Sequence, residues 1–187
     1  QLGLSRLIDR RTLELTVELL KRHRELVLSV NVSALTCSDR EWLTTLQRLT
    51  KDRPDVLKRM IVEITETVAL EELDQSANFV DTLNELGCRV AIDDFGAGYT
   101  SFKNLKRLNV DMVKIDGAFI KNLADDTSDQ IFVKTMIELA NQFGMETVAE
   151  WVGDERTAQF LRNAGITYMQ GFYFGRPFDS ADYSNAA

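Results

Sequence analysis

Six short apolar runs alternate with helix-forming stretches along this chain, and each carries a polar residue at or near its C-terminal end. Strand–helix alternation at short spacing implies a parallel sheet covered by helices. The runs are Leu26 to Asn31, Met60 to Glu66, Arg89 to Asp93, Met112 to Asp116, Glu146 to Glu150 and Tyr168 to Phe172. A doubly wound sheet and a barrel both fit this pattern, and the polar ends decide between them. Asn31, Glu63, Asp93, Lys114, Glu150 and Gln170 lie at or near the C-terminal ends of six different strands. In a barrel such ends converge on one pocket, whereas an open sheet gathers ligand residues at one switch point. The expected fold is therefore a TIM-like (β/α) barrel. With six strands in place of eight, it is expected to be incomplete at its N-terminus, one domain over residues 1–187 with a frayed tail at 178–187.

The intervening stretches read as helices. Leu4, Ile8, Leu15 and Leu19 share one face of a helix over about 4–22. Asp39 caps a helix to about Thr50, and a helix from about Glu71 to Leu86 turns Leu73, Ala77 and Val80 inward before Gly87. Ser128 or Asp129 is expected to cap a long helix whose inner stripe is Phe132, Met136, Leu139 and Phe143. A last helix covers Glu155 to Ala164.

The chemistry concentrates in Asp93-Asp94-Phe95-Gly96, where two acids close an apolar strand ahead of a glycine loop. Buried carboxylates need a partner, because an unpaired buried charge is very costly. Glu63, Asp93, Asp94 and Glu150 outnumber the single Lys114. Oxygen ligands in that number suit a hard divalent cation such as Mg²⁺ or Mn²⁺. A pair of such ions suits hydrolysis of a phosphodiester.

Other roles stay open for each residue. Asp93 and Asp94 could cap the following loop. Residues one apart in a strand face opposite ways, so Glu66 must lie in or after a loop if Glu63 points inward. Lys114 is either a counter-ion or a Schiff-base lysine, and the surplus of acids favours the counter-ion. Asp116 could bind the loop starting at Gly117. Tyr99 and its neighbouring glycines form either a mobile lid or a tight turn. Asn31 and Gln170 are weak signals alone.

Composition removes several functions. A net charge of −7 disfavours a DNA- or RNA-binding surface. No apolar run approaches membrane-spanning length. Cys37 and Cys88 form no CxxC, which favours reduced thiols in a cytoplasmic protein over a disulfide. His23 is the single histidine and sits on a polar helix end, so histidine metal chemistry is not expected.

Taken together, the segments resemble the EAL domain family, the cyclic di-GMP phosphodiesterases of bacterial signalling. They are Asn31-Val32-Ser33, Glu63-Ile64-Thr65-Glu66, Asp93 through Ser101, Val113-Lys114-Ile115-Asp116, Ala149-Glu150 and Gln170-Gly171-Phe172, in family order and spacing. The resemblance implies a barrel whose first strand is antiparallel to the rest. It implies that Asn31, Glu63 and Asp93 bind a catalytic Mg²⁺ or Mn²⁺, that Asp94 assists a second, and that Ca²⁺ inhibits. Lys114 would orient the attacking water, and Glu150 would be a ligand or general base. Gln170 and Asp116 would lie near substrate. Glu66 would brace the loop containing Gly96, Gly98 and Tyr99, linking metal binding to dimerisation. The implied reaction converts cyclic di-GMP to linear pGpG. The parent would be a homodimer, with flanking sensor or GGDEF-type domains and any membrane anchor outside this chain.

Two departures accompany the resemblance. The Glu-Ala-Leu signature would lie upstream of Gln1, so this chain alone is expected to hydrolyse little or nothing. The family's Ala-Glu-Gly-Val-Glu reads Ala149-Glu150-Trp151-Val152-Gly153 here. The alternative is therefore a catalytically degenerate receptor or interaction domain.

Overall fold

The structure, a computed structural model, describes residues 2–96 and 102–177. The glycine-loop residues Gly98 and Tyr99 and the 178–187 tail lie outside the described residues. The elements run α1 (Leu2–Arg22), β1 (Leu28–Asn31), α2 (Ala34–Cys37), α3 (Arg40–Thr50), α4 (Pro54–Leu57), β2 (Met60–Thr65), α5 (Glu66–Glu71) and α6 (Leu73–Leu86). They continue through β3 (Arg89–Phe95), α7 (Phe102–Leu108), β4 (Met112–Ile115), α8 (Gly117–Ile120), α9 (Thr127–Gln142), β5 (Glu146–Ala149), α10 (Glu155–Ala164) and β6 (Tyr168–Met169).

All six strands are parallel, in the order β1-β2-β3-β4-β5-β6. Among the described residues β1 and β6 each pair on one side only, so the sheet is curled but not closed. Strand parity sorts its two faces. Val62, Ile64, Val90, Ile92, Val113 and Ile115 are buried and join the main core beneath the helices. Ile61, Ala91, Met112 and Val148 form a second, small cluster on the concave face. At the N-terminal end of that face Arg89 pairs with Glu146 at 3.0 Å, and the Tyr168 hydroxyl donates to Glu146 at 3.2 Å.

Several local expectations are corrected. In α1 the buried stripe is Leu13, Val17 and Leu20, while Leu4, Ile8 and Leu15 are exposed. The nearly buried Asp9 lies on the same stripe, which its leucine-rich sequence does not reveal. Its Oδ2 accepts hydrogen bonds from the Ser33 N–H (2.9 Å), the Ser33 hydroxyl (2.6 Å) and the Thr36 hydroxyl (2.5 Å). These bonds tie α1 to the loop leaving β1.

Asp126, rather than Ser128 or Asp129, caps α9, accepting from the N–H groups of both residues. The buried stripe of α9 accordingly shifts to Val133, Met136, Ile137 and Ala140, and Phe143 is exposed. In α6 the buried residues are Ser76, Phe79, Val80 and Leu83, with Leu73 and Ala77 only partly covered. β6 is two residues long instead of five, because the chain turns where Gly171 meets the backbone of Val152. Both cysteines are free and buried, and burial pushes the Cys37 thiol up to about 11 and the Cys88 thiol up to about 12. No helix among the described residues is long and apolar enough to cross a membrane.

Candidate active site

Strand parity brings most of the site to the concave face. Ser29 and Asn31, Ile61 and Glu63, Ala91 and Asp93, Met112 and Lys114, and Val148 and Glu150 alternate inward. Register sets the heights. Asn31 is level with Glu63, and Glu63 with Ala91, so Asp93 stands one inward residue higher. Lys114 is level with Val148, so Glu150 stands one step above it.

Lys114 is the hub. Its Nζ donates to Glu63 Oε2 at 2.8 Å and Asp93 Oδ1 at 2.7 Å, and pairs with Glu150 Oε1 at 2.8 Å. The side chain is 6% exposed. Burial alone would lower its pKa, but the hydrogen bonds it donates to Asp93, Glu150 and Glu63 outweigh this and hold it above the ordinary lysine value. A Schiff-base lysine needs its neutral amine, so the surroundings favour the counter-ion role.

Asp94 reaches the same place by a different route. Its neighbour Asp93 faces inward, so regular pleating would turn Asp94 away. Instead β3 shifts register between Ile92 and Phe95, and Asp94 adopts a left-handed φ of 55°. Such a bulge re-aims a side chain. One oxygen from each of Asp93, Asp94 and Glu150 then lies within 4.8 Å of the others. Burial raises the Asp94 pKa, with Asp93 and Asp116 adding repulsion. Burial also raises Glu150, with Lys114 pulling the other way and Asp93 and Asp94 adding to the rise. The acids exceed what one ammonium can neutralise, and their oxygens form a donor set that a hard divalent cation fits.

Glu66 is the first residue of α5, after the Thr65 cap. The helix start therefore frees it from the parity of Glu63. Glu66 is buried, and its Oε2 accepts the Gly96 N–H at 2.8 Å. Gly96 has φ 102°, and a Cβ there would lie 3.0 Å from the Phe132 ring and 3.1 Å from Phe119. Those two rings stack at 4.2 Å. The sequence reading assigned Phe132 to the helix interior and so missed its place under the glycine turn. Asp116 caps α8, its Oδ1 accepting the Ala118 N–H at 2.7 Å. Asn31 and Gln170 are exposed at the ends of β1 and β6. Gln170 lines a concave-face cavity of about 310 Å³ with Glu63 and Lys114.

Comparison with known proteins follows the same outline. The family model described as EAL domain matches residues 1–177. The Escherichia coli K12 protein PdeF, named a cyclic di-GMP phosphodiesterase, is 35% identical over 190 residues, covering 99% of this chain and 25% of PdeF. The probable cyclic di-GMP phosphodiesterase PdeA of the same organism is 34% identical over 97% of this chain and 26% of PdeA. The chain thus spans about a quarter of the length of these relatives. The FimX EAL domain from Pseudomonas aeruginosa, solved bound to c-di-GMP, superposes with a TM-score of 0.88 at 30% identity, over 97% of this chain and 74% of that domain. The six parallel strands accordingly form a curled half of the TIM-like barrel of EAL structures, and this chain belongs to the EAL domain family.

Proposed function

We propose that the concave-face site binds cyclic di-GMP and that the protein carrying it hydrolyses one phosphodiester to give pGpG. The observation that carries this reading is the convergence of Asp93, Asp94 and Glu150 within 4.8 Å beside a charged, buried Lys114. Asp93, Asp94 and Glu150 would hold Mg²⁺ or Mn²⁺, with Glu63 and Asn31 as further oxygen donors on the neighbouring strands. When bound, the cation supplies positive charge to the phosphate and lowers the pKa of a coordinated water.

The chain's own groups supply the rest. Once one of its three carboxylate partners turns to the cation, the Lys114 ammonium has a donor free for the attacking water and would hold it in place. Glu150, whose carboxylate is made a stronger base by burial, would take the proton as the water oxygen bonds to phosphorus. The P–O3′ bond breaks, and the leaving 3′ oxygen takes a proton from a solvent water to depart as a hydroxyl. Gln170 and Asp116 lie toward the substrate. Glu66 fixes the turn at Gly96 and so the position of Asp94 two residues before it. We also infer a homodimer, coupled to the metal site through the bond Glu66 accepts from Gly96.

The second reading is a receptor without turnover, favoured by Gly153, which stands where the family carries a second glutamate. One experiment separates the two. The intact protein is incubated with cyclic di-GMP and Mn²⁺, and the products are separated by anion exchange. The enzyme reading predicts pGpG, lost with Asp93→Asn. Tight binding with no pGpG at any Mn²⁺ concentration would leave only the receptor, and absence of binding would defeat both readings.

A further inference from the structure

Asp94 reaches the acid cluster on backbone that its own strand does not hold. Ile92 pairs with Val113 and Phe95 with Ile115, so three steps along β3 are set against two along β4. A residue in such a bulge lies outside the regular ladder. Asp94 there has a φ of 55°, and Gly96 a φ of 102°. Aspartate tolerates the left-handed region better than most residues. Two left-handed residues in three still persist only where the surroundings impose them.

The support comes from outside β3. The Asp116 N–H donates to the Phe95 carbonyl at 3.2 Å, and the Gly96 N–H donates to Glu66 at 2.8 Å. A further support is apolar. Phe119 from α8 and Phe132 from α9 stack with centroids 4.2 Å apart and planes at 23°. A Cβ on Gly96 would lie 3.0 Å from Phe132 Cζ and 3.1 Å from Phe119 Cε2, so both rings abut the turn. Both also pack against the main core, which anchors them. On α9 that core is filled by Val133, Met136, Ile137 and Ala140. Phe132 sits beside this stripe, half-buried, with the tip of its ring against Gly96.

We propose that the Phe119–Phe132 pair is a positioning element for Asp94. The rings set the floor of the Gly96 turn, and through it the carboxylate that completes the cation site with Asp93 and Glu150. The proposal rests on the divalent-cation reading above and adds residues of α8 and α9 that touch neither cation nor substrate. The single hydrogen bond from Gly96 to Glu66 fixes a point but not an orientation. Close-packed rings beside the turn block rotation about that point. Asp93 needs no such device, because Lys114 holds it at 2.7 Å. Withdrawing the rings should therefore act through Asp94.

The test is titration of the intact protein with Mn²⁺, free Mn²⁺ being read by electron paramagnetic resonance. Phe132→Leu keeps an apolar side chain on α9 but withdraws the ring from Gly96. It is expected to weaken Mn²⁺ binding about 10- to 100-fold, the range for residues that orient metal ligands. Val133→Ala opens a cavity under the same helix, so it is expected to lower the melting temperature while leaving Mn²⁺ affinity unchanged. In an Asp94→Asn background Phe132→Leu is expected to add no further loss, since the carboxylate it positions is gone. A merely structural phenylalanine would weaken binding equally in both backgrounds. Should Phe132→Leu fail to fold, Phe132→Tyr carries the same comparison: it keeps the ring but adds an oxygen on Cζ, the atom nearest Gly96. If wild type binds Mn²⁺ and the Phe132 variant binds it equally well, or the loss persists in full beside Asp94→Asn, the positioning role is wrong and the cation reading survives. If wild type binds no Mn²⁺, both fall.

Discussion

Replacing Lys114 with methionine removes one charge from the centre of three buried carboxylates. Glu63, Asp93 and Glu150 each lie within 2.8 Å of Nζ, and their side chains are no more than 14% exposed. Removing one partner of a buried ion pair costs about 3–5 kcal/mol, because the other charge is left uncompensated. For a chain of this size each kcal/mol moves the melting temperature by about 2–4 °C. The metal-free variant should therefore melt about 6–20 °C below wild type at pH 7. Mn²⁺ should restore more stability to the variant than it adds to wild type. A ligand at a hundred times its dissociation constant contributes about 2.7 kcal/mol. Urea unfolding at pH 7 with and without Mn²⁺ measures both effects. A metal-free variant within about 1 kcal/mol of wild type would refute the charge argument.

Three further outcomes follow from the same geometry. Gly171→Ala places a Cβ 2.2 Å from the Val152 backbone, so it should unclip the 150–153 loop and destabilise by more than about 2 kcal/mol, measured by thermal unfolding. Asp94 and Glu150 have raised pKas, so the folded state binds extra protons just above the ordinary carboxylate range. Metal-free stability should fall as pH rises through that window, and cation binding should release protons, detectable by calorimetry in buffers of different ionisation enthalpy. Asp9→Ala leaves three donors without their acceptor and should cost about 2–3 kcal/mol in urea unfolding without changing affinity for Mn²⁺.

The inward convergence of Glu63, Asp93, Lys114 and Glu150 was legible because strand parity is a local property that survives folding. Asp94 was legible as an acid but not as a neighbour of Glu150. Only the bulge and its left-handed φ bring it there, and pleating alone points the other way. The α1 face was misread because its sequence offers two apolar stripes. Asp9 marks the buried one, and an acid seldom signals an interior face. The α9 cap slipped by two residues because Asp126, Ser128 and Asp129 are all good caps. Trp151 was conspicuous as a departure from the family's glycine, and its φ of 54° gives the physical reason glycine suits that position.

The central claim is that Asp93, Asp94 and Glu150 hold a divalent cation beside Lys114. The most direct test is anomalous diffraction from crystals of the protein grown with Mn²⁺ and cyclic di-GMP. The account predicts a manganese peak at coordination distance from oxygens of all three acids. A peak elsewhere, or full ligand occupancy with no peak at this cluster, would contradict it.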